Sequence, residues 1–127
     1  MQDKLLYEYA IIRVVPRVDR EEFLNVGLIL FCKRAKLIKV RFEVNETRLN
    51  NFAADFDMEQ IRLNLDSFVK IGTGMQIGGP IALFETPERF RWLTAVRSSV
   101  IQTSRPHPGM ADDLDKAFER LFAELVL

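Results

Sequence analysis

Seven side chains in two stretches of this chain are of the types that could do chemistry together. In residues 7–31, Arg13 and Asn25 sit inside apolar runs, and Glu22 stands just ahead of the second run. In residues 97–109 come Arg97, Ser98, Arg105 and His107, with two further serines and a threonine between them. Guanidinium groups, hydroxyls and backbone N–H groups are what a phosphate or carboxylate needs. A carboxylate or an imidazole held against such an anion could move a proton. On residue type, Arg13, Asn25, Arg97, Ser98 and Arg105 are the candidate ligand-binding residues, and Glu22 and His107 the candidate catalytic ones. The expectation is that Arg13, Glu22, Asn25, Arg97 and His107 converge in space.

Each has a plainer reading. The long stem of Arg13 could snorkel to the sheet end. Asp19 with Glu22 three residues later fits a helix cap and its capping-box partner. His107 lies between Pro106 and Pro108, and the 97–109 stretch could be an ordinary polar loop. Residues 72–80 hold four of the six glycines, but they follow a helical pattern and match neither G-x-G-x-x-G nor the Walker spacing, so they read as a connector. Cys32, the one cysteine, closes an apolar run as a buried thiol commonly does. No metal-ligand spacing surrounds it, and no metal or cofactor is implied.

The elements that must position these residues follow from periodicity. Residues 7–15 and 24–32 read as paired strands on either side of a charged link. In the first, Glu8, Ala10, Ile12 and Val14 alternate with Tyr7, Tyr9, Ile11, Arg13 and Val15, both sides largely apolar, as in a central strand. In the second, strict alternation puts Asn25 and Gly27 on one face, a small polar notch beside Ile29 and Phe31. Gly27 inside a strand implies a close approach or a bulge. Residues 37–43 alternate with Ile38, Val40 and Phe42 inward and Lys39 and Arg41 toward water. With Lys33, Arg34 and Lys36 they make a basic edge that guards against strand-to-strand aggregation.

Leu49, Phe52, Ala53 and Phe56, then Met58, Ile61, Leu65 and Phe68, keep helical spacing. Asp57 with Gln60 supplies a capping signal, and Gly72 is placed as the stop. Thr86 and Pro87 start a short helix anchored by Phe90, Trp92 and Leu93. Val100 and Ile101 suggest a short strand, and residues 112–126 an amphipathic helix whose Asp112 and Asp113 suit its N-terminus. The fold predicted is α+β: an antiparallel sheet of about four strands packed by about four helices in a single domain, residues 1–127.

Composition narrows the function classes. Eighteen basic residues balance eighteen acidic ones in 127, leaving no global field to hold nucleic acid or an anionic membrane. Residues 1–44 carry nine Lys/Arg against six Asp/Glu, so a local basic patch is compatible with the balance. A lone cysteine excludes an intramolecular disulfide. No run of 18 apolar residues occurs and the N-terminus lacks a signal-peptide pattern, so a cytoplasmic location is expected.

The opening Y-x-Y-A-I-I-R-x-V-P, the D-R-E-E-F-L-N-V-G-L-I-L after it, and R-F-R-W-L-T-A-x-R-S-S-x-I-Q further on together resemble domain-of-unknown-function family 3037, small bacterial single-domain proteins. The resemblance spans nearly the whole chain and supplies no activity. Its recurrent polar positions match Arg13, Glu22, Asn25, Gly27, Arg97, Ser98, Gln102, His107 and Gly109. It also implies neighbours resembling HipA-like kinases, hence a possible kinase partner. No nucleophile–base–orienter set is legible. The leading expectation is therefore a non-catalytic regulatory or adaptor module. The alternatives are an enzyme or sensor for a small anionic ligand and a nucleic-acid binder using the basic strand edge.

Overall fold

A computed structural model of the protein describes residues 4–16, 22–52, 57–74, 81, 84–95 and 100–127. Three strands come first: β1 (Leu5–Val14), β2 (Leu24–Cys32) and β3 (Leu37–Phe42). Helices α1 (Glu46–Phe52), α2 (Met58–Thr73) and α3 (Thr86–Leu93) follow. Strands β4 (Ile101–Thr103) and β5 (His107–Ala111) and helix α4 (Leu114–Leu125) complete the chain. All strand pairs are antiparallel, in the order β3-β2-β1-β4 with β5 also on β1. The fold is α+β as expected, with β1 central.

The fifth strand was not expected. Residues 106–109 read Pro-His-Pro-Gly, poor strand formers, yet β5 pairs with β1 from Tyr9↔His107 to Leu5↔Ala111. Prolines are tolerated there because β5 is an outer strand whose far side needs no ladder partners. Gly109 is also required: a Cβ on it would collide with the buried ring of Tyr7, its cross-strand partner.

Strands β4 and β5 form one interrupted strand along β1. Between Ile12↔Thr103 and Tyr9↔His107, two residues of β1 face three, 104–106, so the outer strand bulges. Ser104 repairs the ladder. Its N–H donates to the Ile11 carbonyl and its hydroxyl accepts from the Ile11 N–H, both at 2.8 Å. That accounts for a serine only 7% exposed.

A second bulge lies in β2, where Ile12 pairs with Gly27 but Arg13 pairs with Asn25. Val26 is the extra residue. It joins Leu24, Ile29 and Phe31 in the core under α1–α3, whereas Leu28, Leu30 and Cys32 join the core under α4. The alternation therefore slips by one at Val26, which corrects the expected notch. A Cβ on Gly27 would meet Ile12 on the α1–α3 side and the Arg41 carbonyl oxygen at 2.8 Å. Asn25 faces α4, so the two residues lie on opposite faces.

Helix signals held in part. The Asp57 carboxylate accepts from the Gln60 N–H, and Asp113 caps α4 by accepting from the Lys116 N–H. Gly72 is not the stop of α2. It lies inside the last turn, where a Cβ would strike Val40 of β3, and Gly74, two residues on, ends the helix with φ 76°. Thr86 is the first residue of α3 rather than its cap, and Trp92 is 39% exposed while Phe90 and Leu93 are buried. Arg89 ties α3 to the end of α2 by donating to the Ile71 and Gly72 carbonyls.

Candidate anion-binding face

Arg13 is the residue from which a site can be built. It alternates with the buried Ile12 and Val14, so it points to the α4 side of the sheet. Its cross-strand partners are Asn25 of β2 on one flank and Gln102 of β4 on the other. Residues directly opposite on antiparallel strands share a face, with Cβ atoms about 5 Å apart. Asn25, Arg13 and Gln102 therefore form one polar row across three adjacent strands. The β2 bulge makes the row, because a regular ladder continuing from Ile12↔Gly27 would put Val26, not Asn25, opposite Arg13.

The row is partly satisfied. Asn25 Nδ2 donates to the Leu125 carbonyl at 3.0 Å, which fixes the row against the C-terminal end of α4 and uses one of the orphan carbonyls there. Asn25 Oδ1 and Arg13 Nε are both buried without a hydrogen-bond partner among the described residues. The Arg13 guanidinium carbon stands 3.9 Å from the centroid of the Phe23 ring. Removal from water lowers the Arg13 pKa from its ordinary value, but a guanidinium starts so high that it stays cationic at neutral pH. A buried donor without an acceptor carries a desolvation cost of about 1–3 kcal/mol. A ligand oxygen would relieve that cost, and the neighbouring Asn25 Oδ1 would accept a ligand O–H or N–H.

The other candidates are placed less tightly. Glu22 and Phe23 are exposed ahead of β2, and Arg105 is exposed in the outer-strand bulge. His107 is exposed at the start of β5, its ring 5.3 Å from that of Tyr9, on the same face as Arg13. Arg13 is four positions along β1 from Tyr9, about 14 Å along a strand. His107 and Arg13 therefore share a face without sharing a contact. Arg97, Ser98, Asp19 and most of the glycine-rich 72–80 segment lie outside the described residues. Gln102, not among the residues first singled out as ligands, is the row's third member. The family resemblance marks it as a polar position, but only its register against Arg13, which needs the fold, joins it to the row.

The basic strand edge is arranged otherwise than expected. Lys39 pairs with Asp115 and Arg41 with Glu119, both acids on α4. Lys39 Nζ lies 5.1 Å from the Phe118 ring centroid and the Arg41 guanidinium 4.3 Å from that of Phe122. These two cations therefore line the flank of α4 while keeping contact with water, 28% and 48% exposed. Their partners are 76 and 78 positions away in sequence, beyond the reach of any local pattern.

Among the described residues, no group of three or more His, Cys, Asp or Glu side chains could hold a metal ion. No helix among them is long and apolar enough to cross a membrane. Comparison with family models matches residues 9–126 to the family described as a protein of unknown function, DUF3037. The match takes in nearly the whole chain, and the chain belongs to that family. No curated protein and no solved structure matches it.

Proposed function

Taking the chain as a member of the DUF3037 family, we propose that it is a non-catalytic regulatory or adaptor module that recognises an anionic group at the Asn25–Arg13–Gln102 row. One observation carries the reading: Arg13 Nε and Asn25 Oδ1, a donor and an acceptor on paired residues, are both buried without a partner among the described residues. Buried polar atoms are nearly always satisfied, and the exceptions call for an explanation such as a missing binding partner. The complementary group has an anionic oxygen for the guanidinium and an adjacent O–H or N–H for the amide oxygen. A partner protein's side chains could supply both, and so could a free hydroxylated phosphate or carboxylate. The kinase partner is proposed on the family resemblance alone. Nucleic acid is disfavoured, since Lys39 and Arg41 are already engaged by Asp115 and Glu119.

A thermal-shift screen against sugar phosphates, nucleotides and hydroxy-dicarboxylates separates the two sources. A free ligand at 100 times its dissociation constant stabilises by about 2.7 kcal/mol, and that shift should vanish in Arg13→Met. A silent screen combined with a HipA-like kinase captured by the wild type and not by Arg13→Met would assign the site to a protein partner. Silence in the screen with equal capture by both proteins would overturn the reading.

A further inference from the structure

Beyond the Arg13 row, the structure has a second surface whose chemistry is unaccounted for. Leu6 of β1 and Met110 of β5 are direct cross-strand partners and are 61% and 60% exposed. They lie on the side of β1 that carries Ile12 and Val14, beyond the part of the sheet that α2 and α3 cover. Together with Lys4, Lys33 and Arg34 they line a depression of about 480 Å³. None of these three cations forms an ion pair with a described residue. Glu8 is an acid on the same side of β1. An adjoining depression shares Lys4 and Met110 and sets Lys116 and Arg120 against Asp112 and Asp113, so that Lys4 alone is left over there.

We infer that this depression is a docking site for an acidic segment of a partner protein, in which one apolar side chain seats on Leu6 and Met110 and flanking carboxylates meet Lys4, Lys33 and Arg34. Two exposed apolar side chains in contact are a poor use of surface unless something covers them. Cations without an acid partner among the described residues, set around an apolar centre, have the anatomy of an interface with an apolar core and a polar rim. Charge complementarity makes the rim's counterpart acidic. The surface is concave, which suits an inserted side chain better than a flat membrane. Strand addition is resisted here, because Pro106 and Pro108 remove backbone donors from the outer strand beside the depression. The inference is independent of the Arg13 site.

The test uses fluorescein-labelled twelve-residue peptides with a central Leu or Phe flanked by glutamates, titrated against the full chain by fluorescence anisotropy. Peptides with lysine flanks and vesicles of phosphatidylserine and phosphatidylcholine run alongside. Leu6→Ser and the double change Lys33→Glu with Arg34→Glu should each weaken the acidic peptides about tenfold or more, as expected for losing a buried leucine contact or reversing two rim charges. Both variants alter exposed positions, so their melting temperatures should match the wild type. Arg13→Met should leave peptide affinity unchanged, so this inference and the proposed function can fail separately. Acidic peptides bound equally by Leu6→Ser would overturn the inference by showing adhesion through charge alone. So would equal affinity for lysine-flanked peptides, vesicle binding without peptide binding, or no binding to either.

Discussion

The two faces of the sheet are built to different rules. On one, α1–α3 close over an apolar core of Ile12, Val14, Leu24, Val26, Ile29 and Phe31. Arg89 Nε, between α2 and α3, and Thr103 Oγ1, opposite Ile12, are buried polar atoms there that have no partner among the described residues. On the other, α4 alone packs against Leu28, Leu30, Cys32 and Tyr7. Its flank holds two cation–acid pairs, and at its C-terminal end lies the half-buried Arg13 row. Apolar burial near 25 cal/mol per Å² favours a complete cover, so a face left partly polar contributes less to stability than it could. Residues that stay there at such a cost are candidates for function. The lesson is that the three-helix side holds the fold together, while the single-helix side both holds and recognises.

That contrast can be broken first at its cores. Leu65→Ala on the three-helix side should cost about 2–5 kcal/mol and Phe122→Ala on the α4 side about 3–5 kcal/mol, the ordinary range for emptying a buried site. Urea melts read both from the midpoint. If Phe122→Ala cost under about 1 kcal/mol, below the cavity range, α4 would be an appendage and not a second wall.

A smaller loss, about 1–3 kcal/mol for overpacking, is expected of Gly109→Ala, because the new methyl group would press on the Tyr7 ring. Asp113→Ala should cost about 1 kcal/mol by uncapping α4. Lys39→Ala should cost less than about 1 kcal/mol, since Asp115 is 79% exposed and surface ion pairs contribute little. Arg13→Met should sit at the bottom of the series. Replacing a half-buried cation whose Nε lacks a partner among the described residues should leave the melting midpoint unchanged or raise it, in the way that removing functional polar groups often does. A marked fall would make Arg13 a structural residue and erase the contrast between the faces.

Much of the scaffold was legible in the sequence because its signals are local. The period-2 alternation of residues 7–15 predicted a central strand, the cap at Asp57 marked one helix start, and Asp112 and Asp113 marked the N-terminus of another. What escaped was non-local. Strict alternation misplaced Asn25 and Gly27, since a one-residue bulge at Val26 reverses the facing of half a strand and leaves no mark beyond a glycine. The Pro-His-Pro-Gly run hid β5, because edge position, which only the tertiary fold defines, decides whether proline is allowed. Lys39 and Arg41 read as outward-facing, and what the sequence left out was their acid partners on α4, which only the tertiary fold supplies. Of the candidate site, Arg13 and Asn25 stood out as polar residues in apolar runs, and the fold makes them neighbours. Gln102 needed the β4 register to join them, and Ser104, the hydroxyl that repairs the ladder, was one serine among several.

The most direct test of the Arg13 row is a two-dimensional NMR titration of the wild-type protein with a hydroxylated phosphate or carboxylate identified in the screen, or with the captured partner. The side-chain signals of Arg13 Nε, Asn25 Nδ2 and Gln102 Nε2 are followed together. The account predicts that all three shift along one saturating curve, and that the Asn25 and Gln102 responses disappear in Arg13→Met. Saturable binding that leaves these three signals in place while perturbing others would contradict it.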